Sequence, residues 1–250
     1  MSVALLLAAA AAAQSPTICA DRPSKATGTC TVPALHWQLE TAAVDWSRIT
    51  NVGSSTTVTS IGSSTVKLGL SDSADIEVSF SPYIQENGGG AHVAGFGDVF
   101  VRYKHRLTQS AAPVQAAIMP FIKLPTARGA LGNGRFEGGL ALPIGTAVGP
   151  IGVTLGPEID VLADSERGAR HLAITNVINL SAAAAPRLTI SAELWNSEDL
   201  DPARTRHLWS ADAAAAYLAD RRIQLDGGAN FGLNRATPAI ELYVGASVLF

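Results

Sequence analysis

Apolar and polar residues alternate along most of this chain. The pattern predicts an all-β fold, an antiparallel up-and-down transmembrane β-barrel of about twelve strands. Three observations carry that prediction. The carboxy-terminal residues set Ile240, Leu242, Val244, Ala246, Val248 and Phe250 against Glu241, Tyr243, Gly245, Ser247 and Leu249. A period of two places one set on each face of a strand. Charged residues are only 16% of the chain, against about 25% in ordinary soluble proteins, and 47% are hydrophobic. No internal apolar run reaches the ~20 residues that a membrane-crossing helix needs, so the grease must be carried by strands. A net charge of -3 gives no reason to expect nucleic acid as a partner.

The amino terminus reads as an export signal. Val3 to Ala13 is unbroken apolar sequence, and Ala11-Ala12-Ala13 supplies small residues for cleavage before Gln14. Residues 1–13 are the expected signal peptide, although no Lys or Arg precedes the apolar run. Residues 14–35 are expected to form an amino-terminal periplasmic segment. Its two cysteines, Cys19 and Cys30, are an even number in an exported chain, which points to a disulfide. Closing so short a loop contributes about 2–3 kcal/mol through chain entropy. No second Cys pair or His pair completes a metal-ligand set, so no metal is expected. Thr17-Ile18 lacks the small residues that precede a lipid-modified cysteine.

The barrel is expected over residues 36–250. Strand-length alternation recurs near residues 36–48, 56–70, 75–84, 97–107, 114–124, 135–146, 151–162, 171–182, 187–196, 207–218, 222–233 and 238–250. Short connections such as Ser71 to Ala74, Ala147 to Pro150 and Ala219 to Arg221 alternate with longer ones. The longer set includes Gln85 to Phe96, Pro125 to Gly134, Ala163 to Arg170 and Asn196 to Arg206. Transmembrane barrels segregate their connections in this way, with tight periplasmic turns at one rim and extracellular loops at the other. A soluble sandwich has no reason to do so.

An Arg or Lys on the lipid side costs about 2–4 kcal/mol at mid-membrane, so charged residues within the strands should face inward. The lumen-facing candidates are Glu77, Arg102, Lys104, Arg106, Glu158, Asp160, Glu193, Asp212, Arg222 and Asp226. Arg102-Lys104-Arg106 would form one basic row, with the acids on other strands closing a salt-bridged girdle. His105 falls on the lipid side near a strand end and reads as an interfacial residue. Trp37, Trp46, Tyr83, Trp195, Trp209, Tyr217 and Phe250 lie near strand ends, where aromatic girdles form. A terminal aromatic also suits the signal read by the barrel-assembly machinery, a role expected of Phe250.

No catalytic constellation is present. His36, His92, His105, His171 and His207 are scattered, and neither a His-Glu-x-x-His pair nor a Gly-x-Ser-x-Gly elbow occurs. No cofactor or enzymatic activity is expected. The expected partners are outer-membrane lipid, the assembly machinery and a small-molecule solute.

Several short runs, in order, carry a resemblance. They are Asp21-Arg22-Pro23, Cys30-Thr31-Val32-Pro33, Gln38-Leu39-Glu40, Gly97-Asp98 with Lys104, Leu124-Pro125-Thr126, Leu225-Asp226-Gly227-Gly228, Gly232-Leu233 and Phe250. Together they resemble the outer-membrane transporter-like family labelled "MetA pathway of phenol degradation". Two positions depart from it. Ala127 follows Leu-Pro-Thr where Gly is usual, and Leu35 stands where Gly is expected before the first strand. The resemblance implies a barrel in the outer membrane of a Gram-negative bacterium. It also implies passive transport of small, aromatic or hydrophobic compounds, and it brings no catalytic residues. The alternative is a closed structural or adhesive barrel without transport.

Overall fold

The computed structural model describes residues 16–51, 54–166 and 168–250. The expected signal peptide lies outside the described residues. The strands are β1 (Trp37–Asn51), β2 (Ser54–Ser71), β3 (Ala74–Phe80), β4 (Tyr83–Gly88), β5 (Ala91–Gly95), β6 (Val99–Arg106), β7 (Val114–Leu124) and β8 (Glu137–Ala141). They continue as β9 (Ile144–Val148), β10 (Ile151–Leu155), β11 (Glu158–Ala163), β12 (Arg170–Ala185), β13 (Leu188–Asp199), β14 (Arg206–Leu218), β15 (Ile223–Gly232) and β16 (Ile240–Leu249). Every pairing is antiparallel, and β1 pairs with both β2 and β16, so the sheet closes on itself. Four strands are interrupted, and the segments make a 12-strand barrel. Among the described residues the one helical turn is Gly129–Leu131, and no helix is long and apolar enough to cross a membrane.

The interruptions have local causes. Pro82 separates β3 from β4, Pro143 separates β8 from β9, and Pro157 separates β10 from β11. Proline cannot donate to the ladder, so pairing stops and resumes past it. Gly97-Asp98 makes the fourth break, between β5 and β6. The segment read as a loop from Gln85 to Phe96 is instead largely a hairpin of β4 and β5, turning at Gly89-Gly90, both with positive φ. Two consecutive positive-φ residues suit the tight turns that match strand twist.

The faces are inside out relative to a soluble protein. Ile76, Ile122, Leu172, Ile178, Leu194 and Val244 are exposed, whereas Gln38, Glu40, Lys67, Glu77, Lys104 and Glu193 are buried. One outward row runs across paired strands as Val78, Val101, Ile122, Gly138, Val161 and Leu172. An apolar belt around a closed sheet is the surface that hydrocarbon covers. A bulge between Ala42 and Val44 switches the phase of β1, so that Asp45 follows Glu40 to the inside although one number is odd and the other even.

Candidate functional site

The lumen is occupied by the protein itself. Residues 16–35, within the expected amino-terminal segment 14–35, enter the barrel at the end that carries the short turns. The reason is chemical: the segment brings backbone amides and three charged side chains, and the inward wall is rich in acids and lysines. At the rim, the Ile18 amide donates to Arg221 O at 2.9 Å and Thr31 Oγ1 donates to Asp72 O at 3.1 Å. Cys19 and Cys30 form a disulfide within the segment.

Three anchors hold it. In the first, the Gln38 carboxamide pairs with Cys19 like a backbone strand, accepting from its amide at 3.0 Å and donating to its carbonyl at 2.6 Å. Glu40 accepts from the amides of Asp21 and Arg22 at 3.1 Å. In the second, the Asp21 carboxylate meets Lys104 Nζ at 2.7 Å and also contacts Lys67. Lys67 reaches Glu40 at 2.6 Å, and Lys104 reaches Glu77 at 3.3 Å. Burial alone would raise the Asp21 pKa; Lys104 and Lys67 outweigh it and hold the carboxyl well below the usual range. In the third, on β13 to β15, Arg22 pairs with Asp226 at 2.7 Å and Lys25 with Asp212 at 3.1 Å. The amides of Lys25 and Ala26 donate to Glu193 at 2.9 and 3.0 Å.

Cavities lie against the segment. One of about 470 Å³ runs between Asp21, Lys25, Asp45, Phe100, Arg102 and Glu158, with Ser63, Ser79 and Ser81 on its wall. A second, about 320 Å³, lies between Lys25, Thr175 and Trp195. A third, about 240 Å³, lies between the segment and Asn179, Ser191 and Gln224. Arg102 stands over the rings of Phe100 and Phe121 at 5.1 and 5.9 Å and donates to Ser79.

The structure places the candidate residues as follows. Glu77, Lys104, Asp160, Glu193, Asp212 and Asp226 are buried within the strands, and Arg102 and Glu158 line the lumen cavity of about 470 Å³ beside Asp21. Arg106 sits at the short-turn rim and donates to Asp72 O at 2.6 Å. Arg222 is the exception: it is exposed in the turn before β15, because that strand starts only at Ile223. The expected girdle of wall-to-wall pairs is replaced on β14 and β15 by pairs to the inner segment. Trp195 also departs from expectation. It lines the lumen, with Lys25 Nζ 4.8 Å from its ring centroid, because it shares the inward face of Glu193 two residues away. Asp21, Arg22, Lys25, Glu40 and Lys67 were not among the expected lumen residues. Lys67, set between Val66 and Leu68, carried an alternation signal that would have found it.

A second polar knot ties the long-loop end. Thr126 Oγ1 donates to Gly97 O at 3.0 Å and accepts from the Val99 amide at 2.9 Å. Asp98 accepts from Ala127 N at 2.9 Å and pairs with Lys123 at 2.9 Å, and Lys123 pairs with Glu137 at 2.7 Å. Among the described residues one group has metal-binding side chains close together, Asp164, His171 and Asp201. Its donors are already engaged. His171 lies 2.9 Å from both Asp164 and Asp199, and Asp201 accepts from the amides of Ser165 and Ala203 at 3.0 and 2.9 Å. The group acts as an ionic latch between loops.

The signature runs of the sequence converge on these contacts. Asp21-Arg22, Gln38 and Glu40, Lys104 and Asp226 all belong to the seat of the inner segment. Gly228 serves it indirectly: a Cβ there would lie 2.5 Å from Tyr243 Oη, the ring over which Arg22 sits. In fold the chain is similar to the COG4313 outer membrane channel from Pseudomonas putida F1, with a TM-score of 0.67 and 14% identity over 91% of this chain and 100% of that one. It is more distantly similar to the anion-selective porin from Comamonas acidovorans, with a TM-score of 0.44 and 8% identity over 86% of this chain and 98% of that one. The P. putida toluene transporter TodX gives a TM-score of 0.45 and 9% identity over 86% and 87%. No curated protein matches the chain by sequence. A family profile does match residues 20–250, from within the inner segment to the terminal Phe250, and the chain therefore belongs to the family described as "Putative MetA-pathway of phenol degradation".

Proposed function

We propose that the chain is a passive, non-enzymatic channel in the outer membrane of a Gram-negative bacterium, with small solutes as cargo. The observation that carries this reading is the character of the lumen. It is polar-walled, with cavities against an inner segment that is held by ion pairs and hydrogen bonds. Such a segment can leave its seat in an aqueous lumen, because each polar group finds water as its alternative partner. The lumen cavity beside Asp21 brings Phe80, Phe100 and Arg102 beside a serine wall. That combination suits aromatic compounds carrying hydroxyl or carboxylate groups better than wholly apolar ones.

Conductance in planar bilayers tests the reading. The folded full-length chain is expected to give discrete current steps, and Lys104→Met is expected to raise the open fraction. A second reading, a closed structural or adhesive barrel, is favoured by the filled lumen. Folded wild type and Lys104→Met that both pass no current would establish that reading and overturn the channel.

A further inference from the structure

One outward row of the apolar belt has a gap beside the long loops. In the outward row Val78, Val101, Ile122, Gly138, Val161 and Leu172, every member except Gly138 carries a large side chain. Glycine is required at that point, since a Cβ would lie 2.6 Å from the Phe121 carbonyl oxygen. The result is a groove of about 590 Å³ on the outer wall, floored by Gly138 and sided by Ile122, Leu140, Ile159 and Val161. Ile122 and Val161 are 43% and 42% exposed, so the groove is open to the surrounding medium.

The groove has a polar head. Arg170 and Phe136 close its upper end, beside the long loops. Arg170 lies on the outward face of β12, opposite Ala163, and is exposed. Its Nη1 donates to Phe136 O at 2.8 Å, which fixes the guanidinium over the groove. Ile159 lies opposite Ile174, four residues further along β12. The groove therefore runs about 13 Å along the tilted strands. At a strand tilt of about 40° that span covers about 10 Å of depth, within the ~15 Å of one hydrocarbon leaflet, so a chain lying in the groove has its head at Arg170.

We propose that this groove holds one acyl chain of a phosphorylated glycolipid of lipid A type, with a phosphate seated on Arg170. The inference rests on the reading of the chain as an outer-membrane barrel with its long loops outside. A planar guanidinium binds phosphate in a bidentate manner, and the apolar floor selects a lipid over free phosphate.

Native mass spectrometry of the full-length folded chain, exchanged from lipid A into detergent, tests the proposal. The probes are bis-phosphorylated lipid A, its dephosphorylated form and phosphatidylethanolamine. Wild type is expected to retain one lipid A. Arg170→Gln should lower retention at least tenfold, and Val161→Phe, which fills the groove from its side, should do the same. Retention of dephosphorylated lipid A should be weak throughout. Wild type that retains lipid A no better than phosphatidylethanolamine overturns the inference, as do variants that retain it like wild type. A chain that enters no bilayer of any composition overturns both this inference and the membrane reading. A chain that enters and conducts yet keeps no lipid A overturns this inference alone.

Discussion

Lys104 is the side chain on which the seating of the inner segment most depends. Lys104→Met keeps its length and removes its charge. The substitution leaves Asp21 and Glu77 without the ammonium that stands 2.7 and 3.3 Å away, in a site where Lys104 is fully buried. Removing one partner of a buried pair costs about 3–5 kcal/mol, because the orphaned charge stays out of water. Lys67 still contacts Asp21 and Glu77, which places the cost at the lower end, about 3 kcal/mol. Since 1.4 kcal/mol is a tenfold change, the unseated fraction should rise about a hundredfold. Hydrogen exchange on the detergent-folded protein reads this directly. The amides of Asp21, Arg22, Lys25 and Ala26 donate to Glu40 and Glu193 and should exchange about a hundredfold faster. Amides of β12 to β14 should not change. Segment amides within threefold of wild type would refute the ionic account. Equal acceleration of segment and wall would mean that they open as one unit.

Four further outcomes are expected. Replacing Cys19 and Cys30 by Ser removes a covalent link worth about 3 kcal/mol and should speed exchange in the segment alone; unchanged rates would show that wall contacts suffice. Val101→Arg places charge in the outward row and should cost about 2–4 kcal/mol, whereas Phe100→Arg points into the polar lumen. Equal yields of heat-modifiable, folded barrel for the two would overturn the assignment of faces. Leu35 has a φ of 62° and is 86% exposed, so Leu35→Gly removes about 1–2 kcal/mol of left-handed strain against about 0.5–1 kcal/mol of added chain entropy. A slightly higher denaturation midpoint is the expected result, and a lower one would refute the argument. The amides of Ala203 and Ser165 hold the Asp201 carboxyl down to about 2. Its pKa is depressed on folding, so its contribution is complete above the ordinary carboxylate range and fades as pH falls toward 2. Pepsin should therefore spare the 200–205 loop until the medium is more acidic than about pH 4, and cleavage beginning near pH 5–6 would count against this.

Much of the cylinder was legible because its information is local. Ile151-Gly152-Val153-Thr154 declares two faces within four residues, and the pairing of β10 with β12 follows. The strand breaks were legible in principle from Pro82, Pro143 and Pro157, which lie inside runs that were read as continuous. The phase slip from Leu39 to Val44 marked the β1 bulge in the same way. The inner segment was not legible. It has no alternation, and its partners are remote: Arg22 and Asp226 are 204 residues apart, and Ala26 and Glu193 are 167 apart. Contacts of that kind exist only once the wall exists. Leu35 lies between these cases. A glycine was expected there, and the left-handed backbone that the position demands is present with leucine bearing it.

The strip inside the barrel leads directly into β1, and its anchors stand on both sides of the closing seam, Lys67 and Lys104 on β2 and β6 and Glu193, Asp212 and Asp226 on β13 to β15. The crosspiece thus spans the seam where Leu39 meets Val248, binding staves on both sides of it. Parting that seam means breaking the ladder and these inner ties together.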